Sequence, residues 1–142
     1  MIRKVLAFFC IAIVFSFYGC DISSDENFQF VTLKITAVEL PLSFEQNVDH
    51  TIQVTYERPD NCTFFEGFDV FEGENNTRSI VAIGSLLEQD ECVLMQDEVN
   101  ASFQFTAVNG SPYILRFYSG DDENGNPIYL EYIVPVRPEG IN

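Results

Sequence analysis

An all-β fold, a single antiparallel β-sandwich of about seven strands, is the class this 142-residue sequence predicts. Three observations predict it. Apolar and polar residues alternate with a period of two in several short segments, as in strands with one face buried. Pro, Gly, Asn and Asp cluster between those segments near the roughly 8–12-residue spacing of sandwich turns. Finally, no segment demands a helix.

Residues 28–39 (FQFVTLKITAVE) are rich in β-branched and aromatic side chains, which suit a pleated surface, and Pro41 interrupts the run. After a polar stretch at 45–50, residues 51–58 (TIQVTYER) set Ile52, Val54 and Tyr56 on one face and Thr51, Gln53 and Thr55 on the other. Arg58-Pro59-Asp60-Asn61 supplies a turn, residues 64–71 (FFEGFDVF) the next strand, and residues 72–76 (EGENN) another turn. In RSIVAIGSLL (78–87), four consecutive apolar residues fit helix or strand by period alone, and β-branching with Gly84 selects strand. VNASFQF (99–105) aims Val99, Ala101, Phe103 and Phe105 to one side. SPYILRFYS (111–119) and PIYLEYIVPV (127–136) close the domain as a hairpin around Asn124-Gly125, which reads as a type I′ turn.

Over residues 28–137 this pattern of strands and turns is similar to an immunoglobulin-like sandwich, within a domain spanning 28–142. The chain has no Trp, and its cysteines do not fall on the second and sixth strands, so the resemblance concerns architecture.

The N-terminus has a different character. Arg3 and Lys4 precede an apolar run from Val5 to Phe17, and the small Gly19 follows, the pattern of a secretory signal. Thirteen residues are too few to span a bilayer, which takes roughly 20. Phe17-Tyr18-Gly19-Cys20 resembles the lipobox of bacterial lipoproteins, with Phe17 where Leu is usual and Tyr18 where a smaller residue is common. The resemblance implies removal of a lipoprotein signal peptide, residues 1–19, and acylation of Cys20, a palmitate-type anchor. Residues 20–27 then form the lipidated cysteine and a flexible acidic tether. That tether resembles the export signals of Bacteroidota lipoproteins, which implies an outer-membrane location facing the exterior. The layout as a whole looks like the small lipoproteins common in Bacteroidota, and it carries no activity with it.

Without residues 1–19 the chain has 5 basic and 22 acidic residues, a net charge of −17. Such a surface cannot neutralise phosphates, so nucleic acid is excluded as a partner. The expected membrane attachment runs through the N-terminal lipid instead.

With Cys10 leaving in the signal and Cys20 taken by lipid, Cys62 and Cys92 remain as an expected disulfide in an oxidising compartment. Asp90 and Glu91 beside Cys92 oppose a thiolate, which argues against nucleophilic use. His50 is the single histidine, placed in an expected turn, and no nucleophile elbow, phosphate loop or His-x-x-x-His pair occurs. The expectation is therefore a non-enzyme without a cofactor, and a carboxylate-dependent hydrolase is the residual enzymatic reading. For a metal, GDDENGNPIYLE offers Asp121, Asp122 and Glu123 as candidate Ca²⁺ ligands, although Gly120 stands where an EF-hand loop begins with Asp.

Parity along the last hairpin offers more. If Leu115, Phe117, Leu130, Tyr132 and Val134 face the core, then Arg116, Tyr118, Tyr129 and Glu131 face outward, joined by Phe65 and Phe71 from the third strand. These six residues form the expected ligand platform, suited to a polysaccharide or an envelope protein. The rival expectation is a structural subunit of an envelope assembly with no small ligand.

Overall fold

The structure, a computed structural model, describes residues 28–87, 91–138 and 140. The expected signal segment, Cys20 and the expected tether lie outside the described residues. Ten strands follow one another: β1 (Phe28–Leu33), β2 (Ile35–Glu39), β3 (Phe44–Glu45), β4 (Asp49–Asp60), β5 (Thr63–Glu72), β6 (Thr77–Leu87), β7 (Leu94–Thr106), β8 (Tyr113–Asp121), β9 (Pro127–Val134) and β10 (Val136–Arg137). They form a five-stranded sheet of β1, β5, β6, β8 and β9, a three-stranded sheet of β2, β4 and β7, and a small β3–β10 pair.

The two larger sheets pack as a β-sandwich. Ile52, Val54 and Tyr56 of β4 are buried as their alternation requires, and Ile80, Ala82, Leu115 and Phe117 face them from the five-stranded sheet. The Ile, Val, Leu and Phe side chains among them contribute about 1.5–3 kcal/mol each when fully buried. The run at 28–39 is two strands because the chain changes sheets at Lys34, between the buried Leu33 and Ile35. Lys34 O accepts the Glu57 N–H at 2.9 Å, and Ser119 Oγ donates to Ile35 O at 2.8 Å, so the crossing is tied to both layers.

Strand β6 is the hub. β5 runs along one edge of it, while the other edge is shared end to end: β1 lies antiparallel beside Ala82–Leu87 and β8 parallel beside Thr77–Ile80. The β6–β8 and β3–β10 pairings are parallel and the other ladders antiparallel. Tyr113 opens β8, is 1 % exposed, and its hydroxyl accepts the N–H groups of Val108 and Asn109 at 3.2 and 3.3 Å. This is the tyrosine corner found in immunoglobulin-type sandwiches, and it satisfies a polar atom that burial would otherwise penalise.

Several local expectations are corrected. β4 continues through Pro59 to Asp60, because a register shift between Arg58 and Asp60 removes the need for the N–H that proline lacks. The turn falls instead on Asn61 and Cys62, where Asp60 Oδ1 accepts the Cys62 N–H at 2.9 Å. His50 lies within β4 rather than in a turn, and its Nε2 accepts the Glu45 N–H at 2.8 Å. Asn124-Gly125 is not a two-residue I′ turn: Gly125 has φ 80°, Asn124 does not share a positive φ, and residues 122–126 form a longer loop. A left-handed pair does occur between β5 and β6, where Asn75 and Asn76 take φ 53° and 57° and Thr77 N–H donates to Glu74 O at 3.0 Å.

The expected Cys62–Cys92 disulfide is present, with Cα atoms 5.6 Å apart. Asn61 holds the same linker by exchanging backbone and side-chain bonds with Val93, N–H to O at 3.1 Å and Oδ1 to N–H at 2.8 Å. The linker entering β7 is thereby pinned across one end of the sandwich.

Candidate functional site: the outer face of the five-stranded sheet

The two outer faces differ in chemistry. On the three-stranded sheet, beyond Leu94 and Met95 at the start of β7, outward polar residues satisfy one another across strands: Thr55 donates to Asn100 at 2.8 Å, Gln104 to Thr51 at 2.9 Å, and Thr106 to Asp49. On the five-stranded sheet, strand parity directs Phe28, Phe30, Phe64 and Phe71 outward, and all four are among the exposed large hydrophobic side chains. Ile133 joins them, 69 % exposed opposite Ile114.

One zone of this face runs across four strands. Phe71 pairs with Ser79, Ser79 with Arg116, and Arg116 with Glu131. Beside that row, Tyr118 faces Tyr129 with ring centroids 6.3 Å apart and planes at 75°. The Arg116 guanidinium lies 4.3 Å from the Tyr129 ring centroid, and its Nε is 3.3 Å from Glu131 Oε2. That Nε is shielded from solvent without an aligned hydrogen-bond acceptor. The outward set that parity predicts for this hairpin is thus the observed one. The Arg116 guanidinium covers one face of Tyr129, and the aromatic surface that remains on Tyr118 and Tyr129, with a guanidinium and a carboxylate beside it, can contact an apolar ring and bond polar groups at its rim.

Phe65 does not join the platform. A register shift between Phe65 and Gly67 reverses the parity of β5, so Phe65 points inward and stacks on Tyr56, centroids 4.9 Å apart and planes 18° from parallel. Phe68 follows it inward, 5.1 Å from Phe65 and 5.1 Å from Phe103. Phe71, beyond the shift, is 57 % exposed.

A second zone lies at the other end of β6. Phe28, Phe30, Glu66, Ser85 and Leu87 line an open groove of about 220 Å³. The Phe28 and Phe30 rings meet edge to face at 5.4 Å, and the Ser85 hydroxyl donates to Glu66 Oε1 at 2.5 Å. Sequence reasoning missed this zone. Phe28 and Phe30 are two apart and so share a strand face, but their proximity to Glu66 depends on both edges of β6 being paired at once.

The candidate calcium ligands sit in the β8–β9 loop. Asp122 Oδ1 accepts the N–H groups of Asn124 and Asn126, each at 2.8 Å, and Asn126 Nδ2 lies 3.1 Å from Oδ2. The backbone and side-chain bonds from Asn126 hold the Asp122 carboxyl below the usual aspartate range. The carboxylate therefore organises the loop. Among the described residues no three His, Cys, Asp or Glu side chains converge into a metal site. No protein-family model, curated protein or solved structure matches this chain.

Proposed function

We propose that the chain is a lipid-anchored binding module of the cell envelope, displayed on the outer membrane facing the exterior, whose binding surface is the outer face of the five-stranded sheet. The carrying observation is the contrast between the two outer faces, one closed on itself by polar cross-strand bonds and the other presenting Phe71, Tyr118 and Tyr129 beside a cross-strand Arg116–Glu131 ion pair. The lipobox-like Phe17-Tyr18-Gly19-Cys20 and the net charge of −17 after residue 19 support the anchor and the absence of phosphate partners. The ligand class this surface suits is a neutral glycan, whose ring stacks on Tyr129 while its hydroxyls meet Arg116 and Glu131.

The test is affinity electrophoresis through gels containing neutral or acidic polysaccharides, comparing the unaltered chain with Tyr129→Ala and Arg116→Ala. Retardation by a neutral glycan that both variants lose is expected. A chain that no glycan retards, but that co-purifies stoichiometrically with an envelope protein, supports the second reading of a structural subunit. The exposed Ile133 opposite Ile114 is the observation that favours it. Cys20→Ala is expected to abolish incorporation of labelled fatty acid, and unchanged labelling overturns the anchor.

A further inference from the structure

We propose that the end of the sandwich carrying Phe28, Phe30, Phe64, Leu87, Val93 and Leu94 rests on the lipid bilayer, so that the protein lies against the membrane in one orientation instead of swinging on its tether. The inference rests on acylation of Cys20 and adds to it a contact surface and a direction.

These residues occupy one end of the fold. Phe28 pairs with Leu87, Phe30 with Ser85, and Ser85 in turn with Phe64. Leu87 N–H donates to Cys62 O at 3.0 Å, and the Cys62–Cys92 bond carries Val93 to the same end, where Leu94 pairs with Asp60. Phe30 is 68 % exposed, Val93 62 % and Leu94 81 %, a concentration of apolar surface that costs free energy in water.

The chain itself says what covers it. Residue 28 is where the described structure begins, and Cys20 stands eight residues earlier. Fully extended, eight residues reach roughly 26–29 Å, which is less than the bilayer's own thickness of about 40–45 Å. An acylated Cys20 therefore keeps this end of the sandwich within roughly 26–29 Å of the membrane surface. A weak apolar contact then acts at high effective concentration and is occupied more than its intrinsic affinity would give. None of the six residues is basic, and the charged side chain lining the adjoining groove is Glu66, so the surface suits zwitterionic lipid by apolar insertion. In this orientation the Arg116–Glu131 row, level with Ser79, stands six positions along β6 from Ser85, or roughly 20 Å further from the bilayer.

The absence of Trp from the sequence makes the test direct. Full-length chains carrying Phe30→Trp, Leu94→Trp or, on the polar face, Ser102→Trp are expressed in a host that acylates lipoproteins. Each is then reconstituted into phosphatidylcholine vesicles with and without brominated acyl chains. The expected result is blue-shifted emission, quenched by bromine, for Phe30→Trp and Leu94→Trp, with Ser102→Trp at a solvent-exposed wavelength and unquenched. Shallow bromines should quench most, because apolar faces of this kind insert about 5–10 Å. Acylated, vesicle-bound protein in which the first two variants are quenched no more than Ser102→Trp overturns the contact while leaving the anchor standing. A blue shift that ignores bromine and follows protein density assigns the face to a second copy and also overturns it. Failure of the unaltered chain to take up acyl label or bind vesicles removes the anchor, and the inference falls with it.

Discussion

Tyr56 and Phe65 stack across the interior with ring centroids 4.9 Å apart, one from each sheet of the sandwich. Phe65 reaches Tyr56 because the register shift in β5 turns it inward, and Phe68 extends the contact toward Phe103. Phe65→Ala is expected to lower stability by about 2–4 kcal/mol, somewhat under the fully buried range because Phe65 keeps part of its surface in solvent. Chemical denaturation checks it. A loss below a few tenths of a kcal/mol would place Phe65 back on the outer face.

Burial raises the Tyr56 hydroxyl above its ordinary value, partly offset by Arg58. A raised acid in the folded state holds its proton after the unfolded chain has released it. The associated stability is therefore complete below about pH 10 and declines as pH rises through the unfolded and then the folded value. Denaturation midpoints measured from neutral to strongly alkaline pH should fall less for Tyr56→Phe than for the unaltered chain. Equal declines would locate the alkaline sensitivity elsewhere.

The disulfide closes a loop with a sequence separation of 30 residues. Reduction, or Cys62→Ser with Cys92→Ser, should cost about 3–4 kcal/mol through greater freedom of the unfolded chain. It should also loosen the linker that brings Val93 and Leu94 to the apolar end. Urea midpoints with and without reductant measure the first effect, and amide exchange at Val93 and Leu94 the second.

Gly84 sits in β6 where an added Cβ would meet Phe64 O at 3.0 Å and the Leu33 methyls at 3.2 and 3.3 Å. The carbonyl belongs to a paired strand and cannot swing away. Gly84→Ala is expected to destabilise by about 1–3 kcal/mol, as overpacking does, visible as a lowered melting temperature.

For Asp122, the loop bonds lower the folded value, so their contribution is present above the ordinary aspartate range and disappears as pH falls through the depressed value. An NMR titration should find the Asp122 midpoint below the ordinary aspartate value. Asn126→Ala should move it back up, since Asn126 supplies the largest share of the shift. An Asp122 midpoint indifferent to Asn126 would mean that the loop is organised otherwise.

What the sequence determined by itself is local and periodic. Alternation set Ile52, Val54 and Tyr56 on the buried side, and the parity of the last hairpin put Arg116, Tyr118, Tyr129 and Glu131 on the outer face, because a strand's two faces differ by one residue. Cysteine arithmetic paired Cys62 with Cys92. Tertiary structure decided whatever depends on two distant segments meeting. One extra residue at the Phe65–Gly67 shift reversed Phe65 relative to Phe71, an event that alternation does not show and that Gly67, inside the strand, marks only as a place where a bulge can form. The crossing at Lys34 and the shared edge of β6 brought Phe30 beside Ser85 and Glu66, 55 and 36 positions away from it, because pairing energy is collected between strands and not along them.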